Sequence, residues 1–190
     1  PRFDFKTGNR IFEGNKLRLE DKDILIMEGI HALNPEMTSA VDDSRIFRVY
    51  VSALTSLNID ENNNMSTSDN RLLRRMVRDN RVRGITPEET IMRWNSVRRG
   101  ESKNIFPFQE NADALFNSAL IFELPMLKYY AEPLLRRIAP NSPAYTEAVR
   151  LLKFLDYIVE LHPREIAAIP QTSIMREYIG GQPLTGDCID

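Results

Sequence analysis

Apolar and polar positions alternate at the front of the chain. Residues 2–6 put Phe3 and Phe5 on one face and charged groups on the other, the period-two pattern of a half-buried strand. A turn signal at 7–9 follows, and Ile11 and Phe12 resume an apolar strand. Residues 16–20 alternate again. Residues 24–27 are a continuous β-prone run that ends in Glu28 and Gly29, as in a central parallel strand covered on both faces. Residues 46–51 predict another strand, and Asn34 with Pro35 opens a short helical segment that reaches Val41.

The period changes further on. Residues 56–69 are polar and Asn-rich and form a long loop. A helix follows, with Leu72, Leu73, Met76 and Val77 on one side, Ser68 or Asp69 as its cap, and Gly84 as its left-handed stop. Thr86, Pro87 and Glu89 make a capping box with proline at the first helical position, and the next helix carries Ile91, Met92, Trp94 and Val97 and ends near Gly100. Residues 112–116 are strand-like. After Ala119 only helical patterns remain. One starts at Pro125 and has Pro133 inside it, where a kink or division is expected; a second starts at Ser142 and Pro143, with an apolar stripe through Leu151 and Leu155. Strands and helices mixed, then helices alone, predict an α/β fold in residues 1–119 and a helical extension in residues 120–190.

Composition narrows the class. At 42% hydrophobic and 27% charged residues the chain is ordinary for a globular protein, and its net charge of -2 argues against a dedicated nucleic-acid coat. The single Cys188 excludes an internal disulfide and multi-cysteine zinc patterns, and a count of two histidines argues against a histidine-rich metal site. The run at 24–27 is far too short to cross a bilayer, and the first residues do not read as a signal peptide, so no membrane partner and a cytoplasmic location are expected. The chain begins at Pro1 directly in strand-like sequence, which suggests a piece of a longer protein.

Against that acidic background one helix stands out. Six arginines fall in the thirteen positions 71–83, and Asp79 is the one acid among them. Guanidinium groups are rigid forks of donors that match phosphate oxygens and keep their charge. A solvated face is the usual meaning of a charge run, but such faces normally mix signs. Glu28, at the carboxyl end of the predicted buried strand, sits where open α/β sheets bind ligands and where a carboxylate can hold Mg²⁺ beside phosphates; by itself it also fits a solvent-facing strand end. Phe3, Phe5 and Trp94 are by type core residues, with a second use as an apolar shelf for a flat base or sugar. No G-x-x-x-x-G-K-[ST] and no G-x-G-x-x-G occurs, so a phosphate cradle, if ATP is handled, lies outside these residues.

These pieces in this order resemble the phosphoribulokinase and uridine kinase family of P-loop kinases: residues 1–5, then the run through Glu28 and Gly29, then the arginine helix to Gly84, then residues 111–115. The resemblance covers residues 1–119; residues 120–190 look like an extension found in bacterial nucleoside kinases, which also carry further N-terminal domains. It implies a partial P-loop kinase fold, with a parallel sheet, a β-hairpin and an arginine-rich lid. It implies transfer of the γ-phosphoryl group of ATP to a nucleoside hydroxyl, with ATP and Mg²⁺ bound. In that comparison Glu28 matches the metal-holding acid, Arg75, Arg78 and Arg83 match the lid arginines, and Phe3 and Phe5 match the aromatics beside the nucleoside. Gly8 stands where uridine kinases have a histidine, Ile85 where they have a further arginine, and Arg93 near where they have a base-reading glutamine, which moves the expectation away from uridine itself. The Walker A lysine and catalytic aspartate would precede Pro1, so the chain alone should be inactive and should need the missing N-terminal part of the same protein. Two other expectations stand beside this one. The arginine helix alone would suit a non-catalytic nucleotide- or RNA-binding module, and residues 120–190 would suit a docking surface or a homo-oligomer contact.

Overall fold

The structure is a computed structural model that describes residues 2–4, 9–12, 14, 16–55, 61 and 66–181. Its architecture is mixed α/β, with small sheets and many helices. Strands β1 (Arg2–Asp4) and β2 (Asn9–Ile11) pair antiparallel, with Phe3 opposite Arg10. Phe5 and the 7–8 part of the predicted turn lie outside the described residues. Short 3₁₀ turns at Pro35–Thr38 and Asp43–Arg45 replace the longer helix expected after Asn34. Each is capped by the carbonyl or carboxylate oxygen of Asn34 or Asp42, which satisfies one orphan N–H but adds no apolar face to pack.

Strands β3 (Val49–Ser52) and β4 (Ala114–Asn117) form a parallel pair, with Val49 beside Ala114 and Ser52 beside Asn117. Parallel strands need a crossover, and helices α1 (Thr67–Arg83) and α2 (Pro87–Asn104) lie in it. Side chains of β4 and its flank clamp the two ends of the pair. The Asp113 carboxylate accepts the Arg48 N–H at 2.7 Å, and the Asn117 amide both accepts from and donates to the Leu54 backbone at 3.0 and 2.9 Å.

Residues 16–20 and 24–27 are not strands here. Ile24 and Ile26 are 88% and 87% exposed, and no described strand pairs with them. A central parallel strand is stable only with neighbours at both edges and layers on both faces, and among the described residues the parallel sheet has two members. Val51, Leu115 and Phe116 on that sheet are exposed for the same reason.

The core is helical. Helices α1 and α2 pack together, α3 (Glu123–Leu135) and α6 (Arg176–Ile179) pack on α1, α4 (Tyr145–Leu155) packs on α2 and α3, and α5 (Pro163–Ala168) adds Ile166 to the same core. Leu72, Leu73, Met76, Leu127, Leu151 and Met175 are fully buried in one cluster. Helix α1 starts two or three residues earlier than expected, because Ser66 supplies the cap and accepts the Asp69 N–H at 3.3 Å. Ser68 and Asp69 are inside the first turn, where Ser68 accepts the Trp94 indole N–H and Asp69 pairs with Arg150. Gly84 closes the helix at φ 64°, and Thr86 and Glu89 complete the predicted capping box of α2, which continues past Gly100 to Asn104. Helix α3 runs undivided through Pro133. The ring falls in the last turn, so the N–H it lacks removes one bond near an end rather than a ladder. The helix predicted from Ser142 begins at Tyr145, after the turn held by the Ser142 hydroxyl. No described helix is long and apolar enough to cross a membrane.

Leu73→Ala, which empties a fully buried site, should lower stability by about 2–5 kcal/mol, whereas Ile26→Ala on the exposed run should change it by less than about 0.5 kcal/mol. Urea unfolding of the two variants against the parent chain checks the pair.

Candidate functional site

The arginines of α1 divide by what they touch. Arg74 faces inward, and Arg71, with a side chain 31% exposed, reaches a buried carboxylate. Arg71 forms a two-pronged pair with Glu101 of α2. Arg74 forms a two-pronged pair with Glu123 at the start of α3, and the two side chains are 7% and 2% exposed. Glu123 also accepts the Asn70 amide at 2.9 Å and the Leu120 N–H at 3.2 Å, while Arg74 donates to the Ser118 carbonyl at 3.2 Å and lies over the Tyr178 ring at 5.2 Å. Burial by itself would lower the Arg74 pKa, but the hydrogen bond and charge of Glu123 outweigh it and the value is raised. The same balance, with Glu177 and Asp79 as the counter-charges, raises Arg78.

Arg75, Arg78 and Arg83 converge on one carboxylate. Asp79 is 1% exposed and lies 3.1 Å from Arg75, 3.5 Å from Arg78 and 3.0 Å from Arg83. Arg78 also donates to Glu177 of α6 at 2.9 Å. Arg81 has carbonyls as partners, those of Tyr178 at 2.9 Å and Glu177 at 2.6 Å. Three guanidinium groups therefore share two carboxylates and Arg81 has carbonyls alone, which leaves a surplus of positive charge in this half of the helix. The orphan carbonyls of the helix end favour it. Arg75, Arg78 and Arg83 are about a third to a half exposed, so the surplus reaches solvent. The buried Arg78 Nε–H, the atom 3.5 Å from Asp79, makes no hydrogen bond among the described residues.

The other expected residues make no hydrogen bond or ion pair with this cluster or lie outside the described residues. Glu28 is exposed in irregular chain and makes no hydrogen bond or ion pair with a described residue, the α1 arginines included. Arg93 is exposed on α2 with Glu89 at 3.9 Å. Phe3 sits in β1 as backbone, and Phe5 is outside the described residues. Among the described residues no three His, Cys, Asp or Glu side chains gather as a metal site. Glu101, Glu123, Glu177 and Tyr178 escape a reading of the sequence. Glu123 alone carries a signal, a charge set inside the apolar run 120–124.

Residues 1–121 match the sequence profile of the Phosphoribulokinase / Uridine kinase family. The chain belongs to that family. A comparison with curated protein sequences and with solved structures gives no match. Membership in the phosphoribulokinase and uridine kinase family indicates kinase-type phosphoryl transfer, and the matched region contains β1 to β4 and both helices of the crossover. It ends just before α3, whereas the core that holds α1 in place extends beyond it through α3, α4 and α6.

Glu123→Gln leaves the Arg74 charge buried without its counter-ion and should cost about 3–5 kcal/mol, while Arg136→Gln, which breaks an exposed pair, should cost less than about 1 kcal/mol. Thermal unfolding ranks the two. Burial raises the Tyr178 pKa above its ordinary 10.0, against the lowering effect of Arg74. The folded state thus holds this proton more tightly, and Tyr178 adds stability below about pH 10 that is lost as pH rises through the raised value. Phenolate absorbance should show a late-titrating component that shrinks in Tyr178→Phe; Tyr130, also raised by burial, supplies the remainder.

Proposed function

We propose that this chain is the lid and acceptor side of an ATP-dependent nucleoside kinase that works in the cytoplasm. Residues 1–119 contribute to a P-loop kinase fold and residues 120–190 brace it. The observation that carries the reading is the convergence of Arg75, Arg78 and Arg83, with surplus positive charge, in a chain of this kinase family. Phosphoryl transfer needs little covalent help from protein; it needs positioning and neutralisation of charge that spreads over the transferring oxygens. The three guanidinium groups supply donors for those oxygens. Asp79 holds them together until a phosphate replaces part of its role, and closure over the phosphates excludes water.

Glu28 suits a magnesium site in its chemistry. It is an exposed carboxylate with no partner among the described residues, and magnesium is bound through one or two carboxylates, water and substrate phosphates. Bound there, Mg²⁺ would neutralise charge on the phosphates of ATP. Phe3, Phe5 and Arg93 are assigned to the acceptor, the first two as stacking faces and the third as a donor to an acceptor oxygen. The phosphate cradle is assigned to sequence outside these 190 residues. The exposed run at 24–27 and the open faces of β3 and β4 support that assignment, because they are the surfaces further parallel strands would cover. The non-catalytic RNA reading on the arginine helix loses support, since Arg71 and Arg74 are committed to inward carboxylates and Arg81 to α6.

ATP turnover with a panel of nucleosides, by the protein that carries this chain together with its cradle, tests the proposal. Arg78→Ala should lower kcat by about 10³-fold or more, on the scale of a cation delivered to a transferring phosphoryl group. Equal turnover by the variant and its parent would remove the lid assignment.

A further inference from the structure

Every arginine of α1 has an acceptor in the fold, but the carboxyl-terminal half of α2 does not follow that rule. Arg98, Arg99 and Lys103 are exposed and have no carboxylate within ion-pair distance among the described residues. They share one face with Asn95 and Ser102, at spacings of three and four residues, and these five side chains line an open depression of about 520 Å³. The acids of α2 are engaged elsewhere: Glu101 is buried against Arg71, Glu88 accepts from Ser142, and Glu89 caps the helix. Attraction to the helix carbonyl end accounts for Lys103 in the last turn but not for Arg98 and Arg99, which lie before it.

We infer that this face of α2 binds the sugar–phosphate backbone of an RNA strand, at a site separate from the Asp79 cluster. The face from Asn95 to Lys103 is about 12 Å long at the helical rise. Its three cations can neutralise up to three phosphates of a strand laid along it. The guanidinium forks of Arg98 and Arg99 match phosphate oxygens two at a time. The amide of Asn95 and the hydroxyl of Ser102 each donate and accept, which is the chemistry that meets a ribose 2′-hydroxyl. A helix that lies on an anionic membrane would carry a broad apolar face beside its cations. This face lacks one: its five residues are polar, Ile91 and Trp94 are buried in the core, and Met92, 52% exposed, is a single apolar side chain beside them. The inference does not depend on the kinase reading.

Fluorescence anisotropy of the whole chain with a labelled single-stranded RNA tests it, with DNA of the same sequence, tripolyphosphate and anionic phospholipid vesicles as separate arms. RNA should bind with an affinity that falls about tenfold to twentyfold between about 50 and about 200 mM salt, the dependence expected for three phosphates on a single strand. The combined substitution Arg98→Gln, Arg99→Gln and Lys103→Gln should weaken binding at least about tenfold and flatten the salt dependence. Arg136→Gln, an exposed arginine with a carboxylate partner, should leave both unchanged. Circular dichroism of the triple variant should match the parent, because all three side chains are exposed; should it not, single substitutions read the same loss. No RNA binding at low salt, equal binding by the triple variant, equal affinity for DNA, or binding to tripolyphosphate or vesicles in place of RNA would overturn the proposal.

Discussion

The buried ion pair between Arg74 and Glu123 is the constraint around which the rest of this molecule is arranged. Two charges removed from water are tolerable only if the geometry is good and the remaining donors and acceptors are used. Here they are. Glu123 takes bonds from Asn70 and from the Leu120 backbone, and Arg74 spends its other donors on the Ser118 carbonyl and the Tyr178 hydroxyl. One side chain of α1 thus meets the segment just after β4, the first turn of α3 and the last helix of the core. Leu72, Leu73 and Met76 then pack on the same helix with no exposed surface. The non-directional apolar contacts hold the helices together, and the directional pair selects how they are turned.

That arrangement explains how one arginine-rich helix can serve two purposes. Arg71 and Arg74 belong to the packing. Arg75, Arg78 and Arg83 belong to a half-exposed cluster with more positive than negative charge. Asp79 makes the cluster possible, because three guanidinium groups without it would repel one another. The C-terminal part of the chain enters the same region through Glu177 and the backbone of α6, so residues beyond the family match shape the surroundings of Arg78 and Arg81. The helical region is in this sense part of the support of the arginine helix and not only an appendage.

The first fifty residues show the opposite situation. Their apolar runs are as strong as those of α1, yet Ile24 and Ile26 lie exposed, as do Val51 and Phe116 of the parallel pair that follows. A helix satisfies its own backbone and needs one apolar neighbour. A parallel strand needs partners for its hydrogen bonds and cover for both faces. The described residues provide the first kind of support for α1 to α6 and little of the second for the sheet.

Local chemistry was legible in the sequence wherever the partners are close along the chain. The Gly84 stop, the Thr86 and Glu89 box, the strands around Val49 and Leu115, and the clustering of cations on one helix all follow from spacing and residue type, because the interacting atoms are within about a turn or one alternation of each other. Residues 24–27 read as a strand for the same local reasons and are not one here, since pairing is decided by distant neighbours. Which arginines became structural was also hidden. Arg74 and Arg75 are adjacent and identical in type, and only the fold, by bringing Glu123 from 49 positions away to one of them and leaving the other beside Asp79, assigned the first to the core and the second to the surface cluster. The sequence by itself determined where charge and apolar surface are written along the chain; tertiary structure decided which charges are neutralised, because that depends on through-space distance between groups that the order of residues leaves free.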